Sequence, residues 1–167
     1  GKQQQKPPRA AYQQTRYWST VPFSHGPHEV VKYSALRCAS NQAQPLGSGA
    51  NAQQEELTRN VNDDTPASCF DFAVQLLDES RMTRFGMRRT RAYWIENASV
   101  EWNETQAPFH VVGPLTLTPK SVLAAEACET QHIDVTENSS ADTKPLGSIN
   151  RARWSAESAS RKARLGR

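Results

Sequence analysis

The segment from Cys69 to Leu77 constrains the fold more than any other part of the chain, because apolar and polar side chains alternate along it. The residues that would share its apolar face are Phe70, Phe72, Val74 and Leu76. Those on the opposite face are Asp71, Ala73 and Gln75. A period of two is typical of a β-strand that rests one face on a core. The sequence therefore predicts a sheet in the middle of the chain.

Further extended segments are predicted on both sides of this strand. The apolar clusters at 17–23 and 30–36 are separated by a Gly-Pro turn and look like consecutive strands. Another strand is predicted at 110–117, where an internal Gly-Pro pair suits a bulge or a sheet edge. Residues 91–102 are expected to be extended, with a bend in the middle. The middle of the chain is thus expected to contain several extended segments in succession.

Helices are predicted at 121–128 and at 148–165, and a short helix or turn is predicted at 55–60, with polar loops at 39–53 and 129–143. Small apolar residues recur on the last helix at helical spacing. They are Ile149, Ala152, Ala156, Ala159 and Ala163. Because alanine buries little area, this seam predicts a helix that lies close against its neighbour.

Charge separates the ends of the chain from its middle. A chain of 167 residues is ordinarily one domain with a core, but only 37% of its residues are hydrophobic. The deficit lies at the ends, and no acidic residue occurs before Glu29. We expect residues 1–15 to be a basic tail that is disordered or bound to a partner, and residues 148–167 to form a basic helix. A basic, acid-free start also suits the sequence that follows a cleaved organellar presequence.

The three cysteines, Cys38, Cys69 and Cys128, are far apart and show no CxxC spacing. This pattern indicates neither a disulfide framework nor a zinc site. Isolated thiols suit a reducing intracellular compartment, with a mitochondrion or another organelle as a narrower expectation. No apolar run approaches the roughly 20 residues that a membrane-spanning helix requires.

Several segments, taken in order, resemble the C-terminal half of the catalase-like haem proteins. They are Tyr-Trp-Ser-Thr-Val-Pro-Phe at 17–23, Val-Lys-Tyr-Ser at 31–34, Glu-Asn-Ala-Ser-Val-Glu-Trp at 96–102, Leu-Thr-Leu-Thr-Pro at 115–119 and Pro-Leu-Gly-Ser-Ile-Asn-Arg-Ala-Arg at 145–153. The resemblance implies an α+β fold: an antiparallel catalase-like β-barrel at 16–147 with short flanking helices and a C-terminal helix.

The same resemblance implies a cofactor-binding position on the last helix, where the residue of this chain differs from the residue of the family. In the family this helix carries an Arg-x-x-x-Tyr pair whose tyrosine binds the haem iron. The matching residues here are Arg153 and Glu157. A carboxylate four residues after Arg153 and four before Arg161 also suits an ordinary helical ion pair. The resemblance therefore implies a degenerate haem site, with no haem bound and no metal.

Catalytic residues are not predicted. The family's distal histidine and asparagine lie upstream of the matched segments, and peroxide cleavage needs a positioned base. His25 and His28 stand in a His-Gly-Pro-His turn and are interpreted as surface residues. If the chain is an enzyme, we expect a haem b peroxidase or catalase-like oxidoreductase.

A second candidate surface is basic and aromatic. Its arginines, with two from the last helix, are Arg81, Arg84, Arg88, Arg89, Arg91, Arg161 and Arg164. Guanidinium groups beside aromatic rings suit a protein partner, RNA or a solvated hairpin turn.

These observations favour a non-enzymatic function: a structural or accessory subunit of a hetero-oligomer or larger complex. The alternatives are a divergent haem-dependent enzyme and a basic accessory protein of a ribonucleoprotein complex.

Overall fold

The computed structural model describes residues 10–41, 46–62, 68–118, 127, 130–131 and 133–166. Its strands are β1 (Tyr17–Trp18), β2 (Phe23–His25), β3 (Glu29–Arg37), β4 (Cys69–Leu76), β5 (Thr83–Arg84), β6 (Met87–Arg88) and β7 (Phe109–Thr116). Its helices are α1 (Ala52–Asn62), α2 (Arg91–Glu96) and α3 (Gly147–Leu165), with 3-10 turns at Tyr12–Gln14 and Ala141–Thr143. No helix in these described ranges has the length and apolar character needed to cross a bilayer.

The main sheet follows the order β1-β3-β4-β7, and β2 also pairs with β3. The β2–β3 hairpin is antiparallel and places Phe23 opposite Val31. The mixture of helices and antiparallel sheet confirms the predicted α+β class. The predicted closed barrel is not found: β7 ends the sheet, and no described strand connects its outer edge back to β1. Closure into a barrel leaves no such edge.

The chain divides into two compact units. The first unit comprises the described residues of 1–17, 35–72 and 113–122. The second comprises those of 18–34, 73–112 and 123–167.

A disulfide fastens the first unit. Cys38, just after β3, is bonded to Cys69 at the start of β4, with the Cα atoms 5.6 Å apart. The Asn41 side chain donates hydrogen bonds to the carbonyls of Gln13 and Cys69, at 3.0 and 2.8 Å. The expectation of isolated thiols is therefore wrong for Cys38 and Cys69, because strand pairing brings distant positions together. Cys128 lies outside the described residues, and the predicted compartment stays a prediction.

Part of the predicted N-terminal tail is packed within the first unit. Ala11 and Gln13 are buried, and the Gln13 amide donates a 2.6 Å hydrogen bond to the buried Glu56 carboxylate. The Tyr12 hydroxyl donates to Ser68 at 3.1 Å. Since residues 1–9 lie outside the described ranges, the division into tail, domain and helix stays a prediction.

The second unit contains an apolar cluster built around two buried tryptophans. Its buried members are Val30, Leu77, Met82, Trp94, Val100, Trp102 and Ala107. The Trp102 indole N–H donates to the carbonyl of Trp94 at 3.3 Å, so a buried polar atom is satisfied inside the cluster.

The predicted alternation of β4 holds only in part. Phe70 is buried as expected, but Gln75 is only 2% exposed, whereas Leu76 is exposed. The Gln75 amide donates to the carbonyls of Trp102 and Ala107, at 3.1 and 2.7 Å. Because the consecutive residues Val74 and Gln75 are both buried, this half of the strand is covered on both faces.

One predicted element is wrong. Residues 91–96 form α2, where an extended segment was expected. The Thr90 hydroxyl caps the helix by accepting a hydrogen bond from the Tyr93 amide, which satisfies one of the free N–H groups of the first turn. The short helix or turn predicted at 55–60 is part of the longer helix α1, and the helix predicted at 148–165 is part of α3. Most of the helix predicted at 121–128 lies outside the described residues.

Candidate functional site

The start of α3 is fixed by close contacts within the second unit. The buried Asn150 amide donates to the carbonyls of Leu146 and Pro22, at 2.8 and 3.3 Å. Gly147 has φ +85°, and a Cβ atom there would lie 2.5 Å from the carbonyl oxygen of Ile95 at the end of α2. Only glycine permits both this backbone conformation and this approach.

The face that α3 turns toward the protein is polar. Asn150 is buried, and Arg153, Glu157 and Arg161 are half-buried. The predicted alanine seam is exposed, so the expected seam packing is wrong; its residues are Ile149, Ala152, Ala156, Ala159 and Ala163. The reason is that hydrogen bonds and ion pairs, and not small side chains, hold this helix.

Two bidentate ion pairs contribute to this docking. Arg151 binds both carboxylate oxygens of Glu96, at 3.1 and 2.7 Å, and this hydrogen bonding lowers the pKa of Glu96 below its ordinary value. Arg161 binds Glu137 in the same way, at 2.7 and 3.0 Å. Bidentate geometry fixes orientation, although exposed pairs contribute little to stability.

Arg153 and Glu157 form an ion pair on the inward face of α3. The Nε and Nη2 atoms of Arg153 lie 3.0 and 2.9 Å from Oε1 of Glu157. The two side chains are 39% and 27% exposed. Oε2 of Glu157 is buried and has no hydrogen-bond partner within the part of the chain that the structure describes. The sequence-predicted pair is thus brought together, in an arrangement that neutralises the carboxylate.

These residues do not fit a tyrosinate-ligated haem. Both described contacts of the Glu157 carboxylate are to the guanidinium beside it, and a glutamate side chain is shorter than a tyrosine. This carboxylate is thus already paired with a cation, whereas the family resemblance implies a phenolate ligand at this position. The free Oε2 atom is the one feature that would suit a metal ligand.

The two histidines of the His-Gly-Pro-His turn lie at the surface. His25 ends β2 and is exposed, as is His28 in the following turn. Over the described ranges, no cluster of three or more His, Cys, Asp or Glu side chains is arranged to hold a metal ion.

The arginine cluster includes the β5–β6 hairpin. Arg84 and Met87 pair across it, with Phe85 and Gly86 at the tip. Both tip residues have positive φ, 53° and 74°, and Phe85 is 80% exposed. The Arg84 guanidinium lies 4.6 Å from the centre of the Phe85 ring. The sequence indicates the Phe85 ring beside these arginines, but its position at positive φ in the tip was not predicted, because Asn or Gly is the usual signal for such a turn.

The other predicted arginines differ in their engagement. Arg91 pairs with Glu79 at 3.2 Å and also donates to the carbonyl of His28. Arg89 lies over the Tyr93 ring, at 5.4 Å. The exposed members are Arg81, Arg88 and Arg164. Some of the predicted arginines therefore make contacts within the chain, whereas others face solvent. That any of them binds a partner stays a prediction.

Two cavities of the second unit were not anticipated. One of about 590 Å³ lies beside Trp154, Lys144 and Arg151. The other, of about 300 Å³, is lined by Lys32, whose amine lies 4.9 Å from the centre of the Trp102 ring. Neither includes Arg153 or Glu157 in its walls. No sequence signal marks a cavity whose walls come from separate segments.

The chain matches no protein-family model and no curated protein sequence. Among solved structures it is similar to the crystal structure of a fungal catalase, with a TM-score of 0.73 and 13% identity. The similarity covers 95% of this chain and 32% of the catalase chain, so the chain spans about a third of the length of that protein. At this identity the comparison shows a catalase-like fold and nothing of the chemistry.

Proposed function

We propose that this chain is a catalase-like domain without a competent haem site, and that it serves as a structural, accessory subunit of a larger protein assembly. The Arg153–Glu157 ion pair carries the first half of the proposal. Where the family resemblance requires an iron-binding tyrosine, a carboxylate accepts two N–H groups from the neighbouring arginine.

A haem titration of the purified chain tests this half. We expect hemin to give a weak Soret change that does not saturate, and the same change in Glu157→Ala. Glu55→Ala, an exposed acidic position on α1, is the matched control. A saturable one-to-one complex that Glu157→Ala abolishes and Glu55→Ala retains would contradict the proposal.

That contradicting result would support the second candidate, a divergent haem-dependent enzyme. The observation that favours it is the buried Oε2 atom of Glu157, which lacks a hydrogen-bond partner among the described residues. A buried acceptor without a partner is costly, and a bound cation is one way to satisfy it.

The β5–β6 hairpin supports the second half of the proposal. A bulky residue at positive φ is strained, and such strain persists mainly where function requires it. Phe85 presents an exposed ring beside Arg84, with the half-exposed Met87 next in the strand. Aromatic residues, methionine and arginine are enriched in protein–protein interfaces. The hairpin therefore suits a protein partner.

The variant Phe85→Asn separates binding from folding. Asparagine tolerates positive φ, so we expect unchanged or higher stability together with loss of the partner. The chain, tagged and purified under native conditions from its own cells, should elute in a defined complex larger than its 18.6 kDa mass. Phe85→Asn should elute alone, whereas the control Ile133→Asn, at a position 77% exposed elsewhere, should keep the complex.

A wild-type chain that elutes alone would contradict the accessory role. A complex that nuclease dissolves, with an affinity that falls steeply as salt rises, would favour the ribonucleoprotein alternative.

A further inference from the structure

The Lys32 amine projects from β3 into a cavity and is held there by uncharged groups. Its Nζ atom donates a 3.4 Å hydrogen bond to the carbonyl of Val100 and lies 4.9 Å from the centre of the Trp102 ring. Within the described residues no carboxylate lies at ion-pair distance from it. An amine with this set of partners keeps hydrogen-bonding capacity for a ligand.

The cavity has the size and walls of a small-molecule site. Its volume is about 300 Å³, at the lower end of the range for ligand pockets. Rings of Trp18, Trp102 and Phe109 line it, and hydroxyl groups come from Ser19, Thr20 and Ser99. Such walls suit a flat apolar body that carries one polar group.

The charges around the amine select the kind of polar group. Burial removes water from the ammonium and lowers the pKa of Lys32 below its ordinary value of 10.5, while the Glu101 carboxylate acts in the opposite direction. The Trp102 ring and the Val100 carbonyl also favour the ammonium. Glu101 and Glu104 are exposed at the cavity and repel an anionic ligand. An uncharged carbonyl compound can react with a neutral amine and is not repelled by these two carboxylates.

We propose that the Lys32 cavity binds a small aromatic aldehyde or ketone and holds it as a reversible imine on Nζ. The lone pair of the neutral amine attacks the carbonyl carbon and gives a carbinolamine after a proton moves from nitrogen to oxygen. Loss of water then forms the C=N bond, and hydrolysis reverses the step. No oxidant or reductant is required. Solvent supplies and accepts the protons, because Glu101 and Glu104 are exposed and the cavity is open to water at that side.

Reductive trapping on the full chain tests the proposal. The chain is mixed with benzaldehyde and sodium cyanoborohydride, whose hydride reduces any imine to a stable secondary amine, and labelling is measured by peptide mass spectrometry. Lys162, whose side chain is exposed on α3 and lines neither cavity, is the internal control. Each unit by which one lysine pKa lies below another raises its neutral fraction about tenfold near neutral pH.

We expect Lys32 to be labelled several-fold faster than Lys162 at pH 7, with a rate that saturates with benzaldehyde, whereas the rate at Lys162 stays linear. The preference should narrow above the ordinary lysine pKa, where only binding in the cavity still distinguishes the two amines. Trp18→Ala, which removes one exposed wall, should weaken the saturation. Equal labelling of both lysines at pH 7, or a linear rate at Lys32, would overturn the proposal.

Discussion

Gly147 offers the sharpest test of how α3 meets α2. The variant Gly147→Ala places a methyl group 2.5 Å from the Ile95 carbonyl oxygen, and it does so at φ +85°. The backbone strain costs about 1–2 kcal/mol for an L-residue in the left-handed region. The contact adds about 1–3 kcal/mol, because the neighbour is backbone that cannot rotate away. Together we expect a loss of roughly 2–5 kcal/mol in the free energy of unfolding.

Two other glycines separate these contributions. Gly26 also has a positive φ, +68°, but a Cβ there would meet nothing within 4 Å. Gly26→Ala should therefore cost only the backbone strain, about 1–2 kcal/mol. Gly113 has neither feature, so Gly113→Ala should stabilise by about 0.4–1 kcal/mol through the unfolded chain.

Urea denaturation of the three variants measures these differences as shifts of the midpoint at unchanged slope. The expected order of stability is Gly113→Ala above wild type, then Gly26→Ala, then Gly147→Ala. If Gly147→Ala is no less stable than Gly26→Ala, the contact between the start of α3 and the Ile95 carbonyl is refuted.

Three further predictions concern the ion pair, the disulfide and the buried amide. Arg151 lowers the pKa of Glu96 in the folded state, so the pair stabilises the fold above the unfolded-state pKa near 4.5. This stabilisation is lost as the pH falls through the folded-state pKa. In thermal melts at a series of pH values, Arg151→Gln should therefore show a smaller loss of stability over that acid range. Reducing the Cys38–Cys69 bond, which spans a sequence separation of 31, should cost about 3–4 kcal/mol in urea titrations with and without reductant; an unchanged midpoint would argue against the bond. Gln75→Leu leaves two buried carbonyls without their donor, so calorimetry should show a loss of about 1–3 kcal/mol per carbonyl, and an unaltered melting temperature would contradict that role.

The sequence predicted those strands that are marked by a pattern within a few consecutive residues. The alternation at 69–77 and the Gly-Pro pair in 110–117 located β4 and the edge strand β7. The six-residue α2 was missed because its signal is a single capping threonine, Thr90, within an aromatic run that also suits a strand. A short helix depends on such caps and on tertiary packing more than on propensity.

Long-range features could not be predicted in this way. The Cys38–Cys69 bond depends on strand register, and its thiols have no diagnostic spacing. The Lys32 cavity is assembled from strands and a later loop, so no window of sequence contains it. The inward face of α3 was predicted wrongly, because the alanine spacing takes account of apolar side chains alone. Hydrogen bonds of Asn150 and Arg151 orient the helix instead.

The contacts that dock α3 do not involve the position at which the family resemblance implies an iron ligand. The orientation of α3 is set by Gly147, Asn150, Arg151 and Arg161, none of which is the residue at the ligand position. Replacing the residue at 157 therefore leaves the docking bonds of these four residues intact. The position of α3 and the identity of residue 157 can thus change independently.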